Sequence, residues 1–172
     1  MLTLTPTPQE VRLAAAIYNH CNLSQIVLTQ CSVSGTRDKH LVEPFTMAVR
    51  IVGSKSAIEI GTLVVEVNFN LTSSDASDPP IVVFQIDCVF WVAYKLDEEI
   101  IPSQEQIDAF ANGNVIYNCW PYLREFVQST TMRMGHTPPP LPLLRVQPKS
   151  NPAMAETVAR SSEVETKPIS ES

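Results

Sequence analysis

Two long stretches of alternating hydrophobicity constrain this chain more than anything else in it. Between Thr62 and Leu71, the residues Leu63, Val65, Val67, Phe69 and Leu71 point one way, while Thr62, Glu66, Asn68 and Asn70 point the other. Between Ile81 and Leu96, the residues Val82, Phe84, Ile86, Cys88, Phe90, Val92, Tyr94 and Leu96 share one face. A period of two marks strands whose two faces differ. At 3.3 Å per residue the second run would span roughly 50 Å, so a bend or bulge is expected within it. Leu23 to Val33 is β-rich but only loosely alternating. Phe45 to Val52 places Phe45, Met47, Val49 and Ile51 opposite Thr46, Ala48 and Arg50. Turn residues at Ser34-Gly35, Gly53-Ser54 and Asp75 to Pro80 separate the runs. Connections this short leave no room for helical crossovers, so the sheet is expected to be antiparallel. One face is apolar and needs a cover, and the other can meet water.

The C-terminal half supplies that cover. Ser103 and Gln106 make a capping box that opens a short helix, with Ile107, Phe110 and Ala111 on one face and Gly113 as its stop. Pro121 suits the first position of a longer helix, because its missing N–H is not needed there and its φ is already helical. Gly135 suits the end of that helix. The interval is about fourteen residues, or roughly 21 Å. Leu123, Phe126, Val127, Thr130 and Met134 form its apolar stripe, and Arg124, Gln128 and Arg133 fall off it. Pro138, Pro139, Pro140 and Pro142 then force an extended path. Leu141, Leu143, Leu144 and Val146 anchor that path on an apolar surface.

At the other end, Thr7 and Glu10 make a second capping box with Pro8 at the first helical position. A helix from Pro8 to about Asn19 follows, with Val11, Ala14, Ala15 and Tyr18 on a face that has to be covered. The fold class is therefore α+β. It is a four-stranded antiparallel sheet with a short and a long C-terminal helix on one face, plus an N-terminal helix. Three parts are expected: residues 1–22 as helix and leader, 23–146 as the folded domain, and 147–172 as a tail. The tail mixes Pro, Ser, Thr, Glu and Lys without aromatics, so it is expected to be disordered.

Composition narrows function. Twelve Lys plus Arg against eighteen Asp plus Glu give a formal net charge of -6 over 172 residues. That argues against nucleic acid and against an anionic membrane surface as partners. No apolar run is long enough for membrane insertion, and the N-terminus lacks the basic start of a secretory signal, so a cytoplasmic location is expected. Cys21, Cys31, Cys88 and Cys119 lack metal-site spacing and read as small core residues. His20, His40 and His136 have no metal-ligand spacing, and five glycines leave little material for a phosphate loop. No metal, cofactor or catalytic residue is expected. A binding function fits better, because Trp91, Val89, Trp120, Tyr122 and the helix stripe add apolar surface that one small layer does not hide.

The C-terminal motif carries a family resemblance. Pro121, Tyr122, Arg124 and Glu125 opening a long helix, Gly135 after it, then Pro139 or Pro140, Leu141 and Leu143, resemble the SecB protein-export chaperones. The close match covers about a quarter of the chain, and the strand pattern extends it loosely from Leu23 to Val146. The resemblance implies an ATP-independent chaperone that forms a homotetramer, a dimer of dimers. It would hold unfolded or nascent preproteins in apolar grooves and pass them to the SecA motor of the Sec translocase for export. It implies Trp120, Pro121, Tyr122, Leu123, Phe126, Pro139, Leu141 and Leu143 as groove lining or helix packing.

The family meets its motor through acidic residues on the exposed sheet. Here only Glu66 and Asp87 offer themselves, because the run Ile81 to Ile86 holds no acid. SecB-like chaperones that guard antitoxins share the core and form the alternative. A small thioesterase-like enzyme is the alternative of another class. That fold places its long helix early, whereas here it comes last.

Overall fold

The structure is a computed structural model that describes residues 2–36, 42–137, 141–147 and 149. In chain order the elements are β1 (Leu2–Leu4), α1 (Pro8–Tyr18), β2 (Cys21–Gly35), β3 (Thr46–Glu59), β4 (Thr62–Ser74), β5 (Val82–Leu96), α2 (Gln104–Phe110), a π-helical turn (Ala111–Val115), α3 (Ile116–Arg133) and β6 (Leu144–Val146). The architecture is α+β. The main sheet is antiparallel in the order β2-β5-β4-β3, and β1 pairs in parallel with β6 as a separate ribbon.

The alternating strands behave as their pattern requires. On β4, Leu63, Val65, Val67, Phe69 and Leu71 are buried, as are Phe84, Ile86, Cys88, Phe90, Val92, Tyr94 and Leu96 on β5. The expected irregularity in β5 lies at its start. Ser73 pairs with Phe84 but Ser74 pairs with Val82, so Val83 is an extra residue. The bulge reverses the alternation, which leaves Val82 exposed and Val83 buried.

The loose alternation of β2 has the same cause. Its register against β5 shifts between Leu23 and Gln25 and between Leu28 and Gln30. Ser24 and Thr29 are therefore unpaired extras, and each changes the phase. Cys21, Leu23, Ile26, Leu28, Cys31 and Val33 thereby all pair with inward-facing residues of β5.

Strand β3 runs past the expected end at Val52. Gly53-Ser54 is not a turn: the register shifts between Ile51 and Gly53, so Val52 bulges and the strand continues to Glu59. Glycine in a strand often marks such a bulge. The turn lies at Ile60 and Gly61, with φ of 46° and 71°, between the paired residues Glu59 and Thr62. Two positive φ values are the mark of a type I′ hairpin, whose twist matches that of the strands.

Both capping boxes form. Thr7 N–H donates to Glu10 Oε2 at 2.6 Å and Glu10 N–H to Thr7 Oγ1 at 3.2 Å. Ser103 N–H donates to Gln106 Oε1 at 2.8 Å and Gln106 N–H to Ser103 Oγ at 3.3 Å.

Two helix boundaries differ from expectation. Gly113 does not stop α2, because the chain passes through the π-helical turn directly into α3. Pro121 lies inside α3 rather than at its start. A proline there leaves the carbonyl four residues earlier, that of Tyr117, without its helical partner. Tyr117 and Pro121 both face solvent, so water can satisfy that carbonyl. The end at Gly135 is as expected: with φ 81° it donates to Met132 O, and His136 N–H donates to Thr131 O, each at 3.0 Å. These two bonds are those of a Schellman motif.

The helices α2 and α3 cover the centre of the apolar face. The rings of Phe110 and Tyr94 meet edge-on at 4.9 Å, and Asn118 Nδ2 donates to the Tyr94 hydroxyl at 2.9 Å. At the far end of α3 the rings of His136 and Phe84 lie 5.9 Å apart. The buried stripe of α3 is Ile116, Cys119, Trp120, Leu123, Val127 and Thr131. Leu123 and Val127 match expectation, whereas Phe126, Thr130 and Met134 are only half-buried. The edge strands are less well covered, and Leu23, Val33, Ile51 and Ile58 stay exposed on this face.

The expected tail, 147–172, lies outside the described residues except for Gln147 and Lys149. Their N–H groups donate to Leu4 O and Pro6 O.

Candidate functional site

An apolar groove of 690 Å³ lies between α1, the end of α2 with its π-helical turn, and β6. Helix α1 is anchored by Ala14 and Ile17, which are buried as it packs on α2. Of the face expected to need a cover, Ala14 is buried, while Val11, Ala15 and Tyr18 lie along one wall of the groove. Ala109, Gly113 and Tyr117 form the floor, and Leu143, Leu144 and Val146 form the other wall. Val11, Tyr18, Tyr117, Leu143 and Val146 are all exposed. Among the described residues, the charged groups in its lining are Glu10 and Arg145. Glu10 is engaged with Thr7, whose backbone N–H holds its carboxyl below the usual range. The volume is that of a ligand cleft, and the lining suits an extended apolar segment with little sequence preference.

The β1–β6 ribbon builds the second wall. Leu2, Thr3 and Leu4 pair with Leu144, Arg145 and Val146, which fixes the segment after α3 beside α1. Trp120 fixes it from below: its ring is buried and its Nε1 donates to Pro142 O at 3.0 Å.

The residues implied by the SecB resemblance divide between core and surface. Trp120, Leu123 and Leu141 are buried, and Phe126 is half-buried. Pro121 and Tyr122 are exposed on α3 outside the groove lining. Leu143 lines the groove, and Pro139 lies outside the described residues. The sequence marks the α1 face and the apolar anchors after α3 but not their meeting, because the β1–β6 pairing joins segments far apart in the chain.

The two acids on the outer sheet face stand apart. Glu66 pairs in register with Trp91 and Asp87 with Asn70, four residues along β4, or about 13 Å at strand rise. Glu66 accepts a hydrogen bond from Trp91 Nε1 at 3.0 Å. Asp87 accepts from Asn70 Nδ2 at 2.6 Å and from Gln85 Nε2 at 2.8 Å. Both carboxylates are thus engaged by neighbouring side chains on the sheet.

The cysteines are not all core residues. Cys88 and Cys119 are buried, but Cys31 is exposed and Cys21 half-buried, because β2 is an edge strand. Burial pushes the Cys88 and Cys119 thiols up to about 12. Among the described residues no cluster of His, Cys, Asp and Glu could hold a metal ion, and no helix is long and apolar enough to cross a membrane.

No protein-family model matches the chain, and no curated protein matches it. Solved structures do. The SecB-like chaperone of Mycobacterium tuberculosis, solved in complex with a ChAD peptide from the HigA1 antitoxin, superposes with a TM-score of 0.68 at 21% identity, over 77% of this chain and 96% of that one. A protein of unknown function from Streptococcus agalactiae aligns at 12% identity and a TM-score of 0.34, over 71% of this chain and 96% of that one. The chain has the SecB-like fold.

Proposed function

We propose that this chain is a molecular chaperone that holds unfolded polypeptide segments, without ATP, in the groove between α1, α2 and β6. The observation that carries this reading is the row of exposed apolar side chains, Val11, Tyr18, Tyr117, Leu143 and Val146, lining one groove of 690 Å³ on a SecB-like fold. The mycobacterial neighbour holds a peptide of an antitoxin, which supports a polypeptide as the client class. Burying one large apolar side chain contributes about 1.5–3 kcal/mol. Several such contacts hold a segment reversibly, and repeated sites on one client raise avidity. The assembly is a homotetramer, and the exposed apolar residues of the edge strands support association.

The direct test is fluorescence polarisation of a labelled, extended, apolar peptide. Leu143→Asp and Val11→Asp are expected to weaken binding tenfold or more with little change in stability, since both side chains are exposed. Tyr122→Ala, outside the groove, is expected to bind as the parent does. Unchanged affinity in both groove variants would refute the site.

Two client fates fit this activity. Export of preproteins through SecA needs a docking surface, and Glu66 and Asp87 are the acids available for one. Protection of an antitoxin needs none, and the separation of those acids, each hydrogen-bonded to a neighbour, favours that fate. Binding to purified SecA that is lost in Glu66→Gln with Asp87→Asn would reverse this preference.

A further inference from the structure

The edge strand β2 places an exposed thiol directly across from a buried one. Cys31 and Cys88 are register partners in the β2–β5 ladder, and both are free. Their side chains lie on the apolar face, since Cys88 belongs to the inward row of β5. The hydrogen-bond phase of the ladder follows from its end. Thr36 N–H donates to Val83 O at 2.9 Å, so residues 36 and 83 form a hydrogen-bonded pair. The register runs without a shift from Gly35 back to Gln30. Bonded and non-bonded pairs alternate, which makes Cys31 and Cys88 a non-hydrogen-bonded pair. In such pairs the Cα atoms are about 4.5 Å apart and the side chains are at their closest. That distance is at the short end of the range a disulfide spans.

We propose that Cys31 and Cys88 are a redox pair that forms a reversible cross-strand disulfide, tethering the edge strand β2 to the central strand β5. The oxidant is a low-molecular-weight disulfide such as oxidised glutathione. The Cys31 thiolate attacks one glutathione sulfur, forming a mixed disulfide and expelling one glutathione thiolate. The Cys88 thiolate then attacks Cys31 Sγ, closing the protein disulfide and expelling the second. The protein loses two electrons, oxidised glutathione gains them, and the two thiol protons pass to the released thiolates.

Exposure assigns the order, because only Cys31 can meet the oxidant first. Burial pushes the Cys88 thiol up to about 12, with Cys31 beside it and Asp87 on the same strand adding to the shift. Closure is therefore the slow step at neutral pH. With Cys31 exposed, the bond is open to a reducing thiol and readily reversed. Cys119 on α3 is close enough to feel the charge of Cys88 and is the competing partner.

The test uses the full chain. Reduced protein is equilibrated with oxidised glutathione, alkylated under denaturing conditions, digested and read by mass spectrometry. The expected product is a peptide pair cross-linked through Cys31 and Cys88, lost on adding dithiothreitol and retained in Cys119→Ala. In Cys88→Ala, Cys31 is expected to stop at the glutathione adduct. Oxidation of the parent that leaves Cys88 alkylated as a free thiol, with Cys31 carrying glutathione or linked to a second chain, would overturn the proposal. A cross-link between Cys88 and Cys119 would overturn it equally.

Discussion

Asp75 shows how one buried carboxylate sets a loop. It accepts hydrogen bonds from the N–H groups of Val42 and Ile81 at 3.1 and 2.7 Å, and from Ser77 Oγ and N–H at 2.6 and 3.3 Å. Ser77's hydroxyl contributes most to holding its carboxyl down to about 2. Unfolded, the group titrates near 4. The stabilisation is thus complete above about pH 4 and fades as pH falls towards 2. Asp75→Asn should have a lower urea midpoint than the parent at pH 6, with the gap closing across that window. A constant gap would contradict the assignment.

Ile60 is a different case: a fully exposed, β-branched residue at φ 46°. Ile60→Asn relieves a conformation that costs a bulky residue about 1–2 kcal/mol, so urea unfolding should show a gain of about 1 kcal/mol. That turn was illegible in the sequence, because isoleucine is among the last residues expected there. The eye goes instead to Gly53-Ser54, which is a bulge.

At the scale of elements, what was legible is what rests on local chemistry. Both capping boxes, the Gly135 stop and the alternation of β4 and β5 depend on residues a few positions apart. What was not legible depends on phase. Two extra residues, Ser24 and Thr29, make β2 look irregular although its inward row is nearly continuous. The π-helical turn hides the continuity of α2 into α3, so Pro121 looks like a beginning when it is an interior residue. Restoring the missing N–H by Pro121→Ala should raise stability by about 1–3 kcal/mol in urea unfolding, whereas at a helix start the change would be near neutral. Leu123, fully buried under α3, should cost about 2–5 kcal/mol on truncation to alanine. A loss below 1 kcal/mol would mean that α3 does not pack on the sheet as described.

At the scale of the whole molecule, two helices cover a sheet whose central strands are β4 and β5. Its edges stay partly bare, and a separate ribbon closes a groove against α1. The sheet and its cover were readable from periodicity. The groove was not, because it needs the parallel pairing of Leu2–Leu4 with Leu144–Val146, segments far apart in the sequence. The proposed tetramer predicts a mass four times the 19.0 kDa chain by light scattering coupled to size exclusion. A monomer at micromolar concentration would remove it.

The measurement that bears most directly on the central claim is turbidity of a denatured, aggregation-prone protein diluted with and without this chain, in the absence of ATP. Suppression at near-stoichiometric amounts, weakened in Leu143→Asp, is the expected result. Aggregation that proceeds unchanged beside a well-folded sample would contradict a holding function and leave the likeness to SecB-like chaperones as one of fold alone.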